Sequence, residues 1–322
     1  PKLTQRVEKT VYGQESKYLD MAWRFPGVHS DDALKLQLIK GILYNRQAGL
    51  IDLNITKKQR LLEADAWNWI FEDYSVFGLS GKPKEEQTLE DVESILFESI
   101  DSLHAGNFAD WLPEAVIKNM KLNDLRSEKS NGSRVYKMTN AFIKAVPWDK
   151  VVTQYDRMAS FSKEEIIACA KKYIRKDNCV VVYKKEGEDP NVMEVEKPEI
   201  TPVDLVRDQK SAFAEQWMSK ESPRLEPEFL DFDEDLELNT EFRKGVNVHK
   251  IENKNGSFNL LYIYEMGRDA DRYLDLAMQY LPYLGTVKYS AEELQQELFK
   301  RGLEFNASNR NDRIYMSLSG LE

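Results

Sequence analysis

The chain has 322 residues and a formal net charge of −10, and 42% of its residues are hydrophobic and 31% charged. This balance is typical of a globular protein that buries sizeable cores, and the length suits about two domains. The lysines and arginines form no basic stripe, which argues against nucleic acid as a partner. No apolar run approaches the ~20 residues that span a bilayer, so no membrane segment is predicted.

The first strand–helix unit runs from Tyr18 to Leu43. Apolar and polar residues alternate over Tyr18–Phe25, which predicts a strand with one buried face. Ser30 is a candidate N-cap, and two acidic residues follow it where the helix dipole favours negative charge. The predicted helix then places its apolar residues on one face: Ala33, Leu34, Leu38, Ile39, Ile42 and Leu43.

The next two segments are rich in apolar and aromatic residues. Residues 47–55 form a short apolar run that predicts a strand, and residues 61–82 predict two strands or one long bent strand. The aromatic residues Trp67, Trp69 and Phe71 either form a ligand platform or pack in the core or on a sheet face. Packing is the favoured interpretation because aromatic side chains are common in cores.

Helices dominate from Thr88 onward. Thr88 and the Ser162–Glu165 capping box predict helix starts, and helices are also predicted near 111–125, 135–146 and 148–158. The apolar run Cys179–Tyr183 predicts a buried strand. Cys169 and Cys179 have neither zinc-site nor redox-motif spacing, so buried free thiols are favoured over a disulfide.

Residues 188–235 are rich in proline and acid, which is typical of a linker, with one helix predicted over about 204–218. The acidic run at its end could bind calcium, but it lacks the glycine and closing glutamate of a calcium loop. A solvated linker is therefore favoured for this run, which comprises Asp231, Asp233, Glu234, Asp235 and Glu237. Strands over 236–238 and 245–250, with a turn at 253–256, are predicted next.

A second strand–helix unit follows and repeats the pattern of the first. Phe258–Tyr264 predicts a strand, and Asp269 or Asp271 is the candidate N-cap of a helix that Pro282 and Gly285 end. The remaining signals are a capping box at Ser290–Glu293, which predicts another helix, and a hairpin over 303–318. The repeated order of elements indicates a duplicated unit inside the chain.

This second unit resembles the insulinase/pitrilysin family of zinc metallopeptidases, which includes the mitochondrial processing peptidase. In that family a strand precedes a helix carrying H-x-x-E-H, and Gly-Thr follows five residues after the second His. Gly285 and Thr286 stand at that place, but the two His positions fall on Leu276 and Tyr280 and the Glu position on Gln279. The resemblance therefore implies the scaffold of an inactive half, with no catalytic, metal or cofactor residues.

The resemblance implies an α+β fold of two αβ domains like those of the mitochondrial processing peptidase. Each would have a mainly antiparallel sheet with helices on one face. Residues 1–187 would form a non-catalytic domain of the first half, residues 188–235 a linker, and residues 236–322 the truncated start of the inactive half. Exposed apolar surface on that last domain predicts possible self-association.

The implied function is that of a non-catalytic segment of a zinc metalloendopeptidase, in which two halves enclose a peptide substrate. Zinc would belong to the parent protein and not to this segment. The alternative is a catalytically dead binding or assembly subunit with the same fold. The three histidines, His29, His104 and His249, have no second ligand at metal-site spacing. Cytoplasmic and periplasmic locations are equally compatible with the sequence.

Overall fold

The computed structural model describes residues 3–189, 196–202, 209–221, 223–229, 231, 233–234, 237–243, 245–251 and 256–321. They belong to two compact units, Pro1–Asp189 with Lys254–Glu322, and Pro190–Asn253. The first unit holds two sheets and the helices that cover them, and the second holds a short helix and a two-stranded sheet.

A five-stranded, mainly antiparallel sheet organises the first part of the chain. Its strands are β1 Val7–Gly13, β2 Tyr18–Pro26, β3 Glu63–Ile70, β4 Tyr74–Lys82 and β5 Val180–Glu186. The spatial order is β1-β5-β2-β4-β3, and only the β1–β5 pair is parallel. The central strand β2 lies between β5 and β4, so it is hydrogen-bonded on both edges.

Seven helices accompany this sheet: α1 Asp31–Leu43, α2 Leu89–His104, α3 Leu112–Ser127, α4 Asn131–Ile143, α5 Trp148–Val152, α6 Gln154–Ala159 and α7 Lys163–Tyr173. The alternate β2 residues Leu19, Met21, Trp23 and Phe25 are buried, whereas Arg24 is exposed. Helices α1, α2 and α7 therefore cover one face of the sheet, as the period of two in the sequence predicts.

The predicted caps are confirmed where the helices begin. The Ser30 hydroxyl accepts the backbone N–H of Asp32 at 3.2 Å. Thr88 and Ser162 each form a reciprocal capping box with the acidic residue three positions later. These bonds satisfy backbone donors that the first helical turn leaves without partners.

The strand predicted for residues 47–55 is wrong, because the chain is helical there and includes a π-helical turn, Asp52–Thr56. The buried carboxylate of Asp52 accepts the backbone N–H groups of Asn45 and Gly49, each at 2.9 Å. Burial raises the pKa of Asp52 although these donors oppose the shift. A short apolar run does not distinguish a buried strand from a buried helix. Here the Asp52 carboxylate bonds to backbone groups three and seven positions earlier, which favours the helical turn.

The paired aromatic residues of β3 lie on the sheet face that faces away from the helices. The rings of Trp67 and Trp69 are 5.0 Å apart, and Trp67 donates to the Ser80 hydroxyl at 3.0 Å. A Cβ at Gly78 would lie 2.2 Å from the Trp67 ring, so glycine is required beneath it. This arrangement confirms sheet-face packing for Trp67.

The second unit contains α8 Ala212–Met218 and the hairpin of β6 Glu237–Arg243 with β7 Val246–Lys250. The helix predicted over 204–218 is thus present from Ala212, while residues 203–208 lie outside the described residues. Residues 252–255, which include most of the predicted turn, also lie outside them. The described acids of the acidic run, Asp231, Asp233 and Glu234, are exposed.

A three-stranded antiparallel sheet completes the first unit. Its elements are β8 Ser257–Tyr264, α9 Leu274–Tyr280, α10 Ala291–Arg301, β9 Leu303–Asn309 and β10 Ile314–Leu321. The strand order is β8-β10-β9, so the last strand in sequence lies in the middle. The same order holds in β2-β4-β3, where a strand and helix also precede a hairpin. The duplication inferred from sequence is therefore present as a repeated topology.

Candidate functional site: the motif helix

The three residues at the zinc-motif positions lie on α9 and point to solvent. Leu276 is 65% exposed and Tyr280 is 59% exposed, and Gln279 is exposed as well. Leu276 has no lone pair to ligate a metal, and the Gln279 amide cannot take a proton from water. Zinc would find no fitting ligand set at these positions.

No group of three or more His, Cys, Asp or Glu residues able to hold a metal occurs among the described residues. His29 and His249 are exposed and His104 is half-buried at the end of α2. Burial lowers the pKa of His104 despite its hydrogen bond with Ala170. Both cysteines are buried free thiols, as predicted, and burial raises the pKa of Cys169 to about 12.

The N-cap predicted for α9 is wrong. The helix begins at Leu274, and the preceding Tyr273 makes no side-chain capping bond. Asp271 instead accepts the backbone N–H of Tyr273 at 2.8 Å, which forms a local turn before the helix. Aspartate side chains bond to backbone groups both in turns and at helix N-caps. The sequence pattern therefore did not distinguish a turn at Asp271 from an N-cap.

The only carboxylate on α9 is already engaged. Asp275 forms an ion pair with Arg268 at 2.7 Å and accepts the side-chain amide of Asn309 at 3.1 Å. These bonds fasten the helix to the turn before it and to the end of β9. Asp275 therefore supports the position of α9 and is not a free general base.

Gly285 and Thr286 form a turn with a structural purpose. A Cβ at Gly285 would lie 2.3 Å from the carbonyl oxygen of Tyr289, so only glycine lets the two backbone segments come this close together. The Thr286 N–H donates to that carbonyl at 2.7 Å, and its hydroxyl accepts the Tyr289 N–H at 3.0 Å. The turn delivers the chain to Ser290, whose capping box opens α10. The presence of glycine and threonine at these two positions thus has a physical reason.

Strand β8, which leads to α9, carries the largest run of exposed apolar residues in this region. Residues Leu260, Leu261, Tyr262, Ile263 and Tyr264 are each 45–49% exposed. Within the described sheet β8 is an edge strand paired only with β10. Its counterpart β2 has both edges paired and one face buried under helices.

A second feature escaped the sequence analysis: a cavity of about 720 Å³ between the start of α1 and helices α3, α4, α5 and α6. Its signal in the sequence is the amphipathic pattern of α4, whose apolar side would be expected to face the core. No described residue of α4 is buried.

Among the described residues no helix is long and apolar enough to cross a membrane. A scan of protein-family models gives no match to the sequence. A search of curated proteins gives none either.

Several solved structures are similar to the chain. A protease from Helicobacter pylori aligns over 57% of this chain and 45% of its own length, at 13% identity and a TM-score of 0.53. A peptidase M16 inactive domain from Pseudomonas fluorescens aligns over 60% and 47%, at 11% identity and a TM-score of 0.49. The periplasmic protease PqqL from Escherichia coli aligns over 98% and 38%, at 10% identity and a TM-score of 0.43.

The chain spans less than half the length of the Helicobacter pylori protease. At 13% identity the similarity concerns the fold alone. The strand orders show mainly antiparallel sheets, and the buried residues show that helices cover one face of the five-stranded sheet. The chain therefore has an α+β fold that is similar to that of the Helicobacter pylori protease.

Proposed function

We propose that this chain is a non-catalytic segment of a zinc metalloendopeptidase, and that it forms part of the wall that encloses a peptide substrate. The observation that carries the proposal is the repeated topology. The β2-β4-β3 and β8-β10-β9 sheets have the same order and each follows a strand–helix unit. Two such units in one chain fit a protein assembled from related αβ domains.

The geometry of α9 supports the non-catalytic part of the proposal. The residues at the motif positions are exposed and offer neither a metal ligand nor a base. Meanwhile the strand before the helix and the Gly285–Thr286 turn after it are preserved. A domain that has the scaffold but lacks the metal ligands and the general base would contribute only to the shape of the substrate enclosure. Catalysis would come from another domain of the parent protein.

The wall function rests on how the two sheets are joined. Phe299 of α10 is buried in the same hydrophobic core as α3 and α1 of the first sheet. Arg126 of α3 pairs with Glu304 and donates to Ser319 of the second sheet at 2.6 Å. Such shared packing makes the first unit a continuous surface, which is what a wall around a substrate requires.

The experiment compares this chain with the complete polypeptide encoded by its natural gene. Zinc content per molecule and hydrolysis of a fluorogenic peptide are measured for both, with and without a chelator. We expect zinc and chelator-sensitive hydrolysis in the complete polypeptide and neither in the 322-residue chain. If the complete polypeptide has neither and carries no H-x-x-E-H, the peptidase proposal fails, and a binding or assembly subunit of the same fold takes its place.

A further inference from the structure

Helix α4 has its amphipathic pattern reversed. Its apolar stripe, Val135, Met138 and Phe142, is 56–86% exposed and lines no part of the cavity. The residues that do line the cavity from this helix are mostly polar: Ser133, Tyr136, Lys137, Asn140 and Lys144. A surface helix normally turns its apolar side to the protein. The reversal means that the space beneath α4 is built for polar contacts.

The size of this space suits a ligand. The cavity measures about 720 Å³, which falls within the ~300–1,000 Å³ typical of ligand sites. It is bounded by the first turns of α1, by α3 and α4, and by α5 and α6. All of these elements lie in the same compact unit.

Most uncharged hydrogen-bonding side chains in the lining are not engaged by the protein; the exceptions are Ser127 and Tyr155. Within the described part of the chain the side chains of six lining residues make no hydrogen bond to another residue: Gln37, Asn123, Ser133, Tyr136, Asn140 and Gln154. Each amide offers both donors and an acceptor, which matches the alternating N–H and C=O groups of a peptide main chain. A small inorganic anion would use the donors and leave the acceptors without partners.

Two of the basic lining residues are already neutralised. Lys137 bonds to Asp124 at 2.9 Å and to Glu128 at 2.6 Å, and Arg157 pairs with Asp31. These contacts hold α4 to α3 and α6 to α1. They therefore fix the walls of the cavity and leave little charge on these two residues for a ligand.

The other two basic residues are different. Lys144, at the end of α4, and Lys150, on α5, both line the cavity, and neither has a carboxylate partner among the described residues. The chain as a whole carries a net charge of −10. A local excess of positive charge in an acidic protein attracts anionic groups and not the cationic ones that the rest of the surface favours.

We propose that this cavity binds an acidic peptide segment. Carboxylates of the segment pair with Lys144 and Lys150, and its main chain bonds to the amides of Asn123, Asn140 and Gln154. The choice of a peptide as the ligand rests on the proposed function, whereas the preference for acidic residues rests on the cavity alone. The site would give the enclosing wall a preference among substrates.

The test measures binding to this chain itself by fluorescence anisotropy. The probes are a fluorescein-labelled hexapeptide of alternating glutamate and glycine and its lysine–glycine counterpart. The cavity variant combines Lys144→Glu with Lys150→Glu. The control combines Lys171→Glu with Lys185→Glu, which changes the net charge equally at two exposed lysines without ion pairs in the described structure.

We expect the acidic probe to bind and the basic probe not to bind. The cavity variant should weaken binding at least about tenfold, because each lysine loses a charge-assisted bond. The control should change the affinity less than about twofold, because exposed charges outside the site interact weakly with the probe. Lys150→Gln alone, at an exposed position of α5, should weaken binding in the same direction if the double variant does not fold.

Three results would overturn the proposal: no binding of the acidic probe at millimolar concentration, equal losses in cavity and control variants, or competition by free glutamate as strong as by unlabelled peptide. The last would assign the site to a small carboxylate and not to a peptide. None of these results depends on peptidase activity in the complete polypeptide. Failure of this proposal and failure of the proposed function can therefore be told apart.

Discussion

The side-chain amide of Asn119 donates a hydrogen bond to the backbone carbonyl of Phe299 at 2.8 Å, across 180 positions of sequence. The same nitrogen donates to the carbonyl of Ala115 at 2.8 Å within its own helix. Phe299 is buried in the core that α3 shares with the five-stranded sheet. One amide thus bonds both to α3 and to the end of α10, and so connects the two repeats.

Replacing this amide should weaken the junction between the repeats. Asn119→Ala removes the hydrogen bond between the repeats, while the Phe299 carbonyl keeps the backbone N–H of Gly302, so we expect the unfolding free energy to fall by about 1 kcal/mol. Asn123→Ala, one turn further along α3, is the matched control because its side chain makes no hydrogen bond within the described structure. Urea unfolding measures both. Equal losses in the two variants would show that the Asn119–Phe299 bond contributes nothing particular.

Glu93 on α2 joins the two outermost strands on one side of the sheet. Its carboxylate accepts a hydrogen bond from the Arg6 guanidinium at 2.7 Å and another from the Tyr183 hydroxyl at 2.6 Å. Burial pushes its pKa upward, but the bonds from Arg6 and Tyr183 outweigh burial and hold the pKa below its ordinary value of 4.5. A carboxyl whose folded pKa is depressed stabilises the fold above its unfolded pKa and loses that contribution as the pH falls through the folded value.

Glu93→Gln should therefore lower stability at pH 7 by about 1–2 kcal/mol, since charge-assisted bonds become neutral ones. The difference in stability between variant and parent should narrow as the pH falls below 4.5 and through the depressed folded pKa of Glu93. Glu90→Gln, on the same helix without an ion pair in the described structure, should show little effect at either pH. Urea unfolding at pH 7 and pH 3.5 checks this, and a gap that stays constant with pH would contradict it.

Strand β8 is the basis of a prediction about self-association. Its sequence, S-F-N-L-L-Y-I-Y, contains no charged residue and no proline, the features that usually protect an edge strand from pairing with another chain. Antiparallel pairing of two copies of β8 would place no like charges opposite each other. In the first repeat, β2 takes β5 as an antiparallel neighbour on the corresponding edge. We propose that β8 pairs in this way with β8 of a second copy.

Light scattering over a dilution series should show a concentration-dependent dimer. Leu261→Lys puts a charge in the centre of β8 and should shift the chain towards the monomer, because two copies would bring these charges together. Leu225→Lys is the control, since Leu225 is an exposed leucine outside β8. A chain that stays monomeric at high concentration, or a dimer that both variants weaken equally, would refute pairing through β8.

Restoring the motif on α9 should not create a peptidase. The combined substitutions Leu276→His, Gln279→Glu and Tyr280→His supply two zinc ligands and a base, but a catalytic zinc site needs about three protein ligands with supporting hydrogen bonds. Asp275, the nearest acid on the helix, is held by Arg268 and Asn309. Metal analysis after dialysis and a fluorogenic peptide assay provide the measurement. Stoichiometric zinc with chelator-sensitive hydrolysis would show that a third ligand is already in place.

Local patterns predicted much of the fold from sequence. The alternation over Tyr18–Phe25 gave the strand and its buried face, and the capping boxes at Ser162 and Ser290 gave two helix starts. These signals succeed because the interactions behind them join residues at most four positions apart, so the sequence itself contains both partners. The absence of ligand chemistry at Leu276, Gln279 and Tyr280 is likewise a property of residue types.

Tertiary structure decided what depends on partners far away in sequence. Helix α4 turns its polar side toward a cavity that it lines together with α3, α5, α6 and the start of α1, about 100 positions earlier in sequence. The bond from Asn119 to Phe299 joins repeats that no local pattern connects. Composition and spacing determine which elements form, but the free energy of burying each face depends on which neighbour lies against it, and only the folded chain brings those neighbours together.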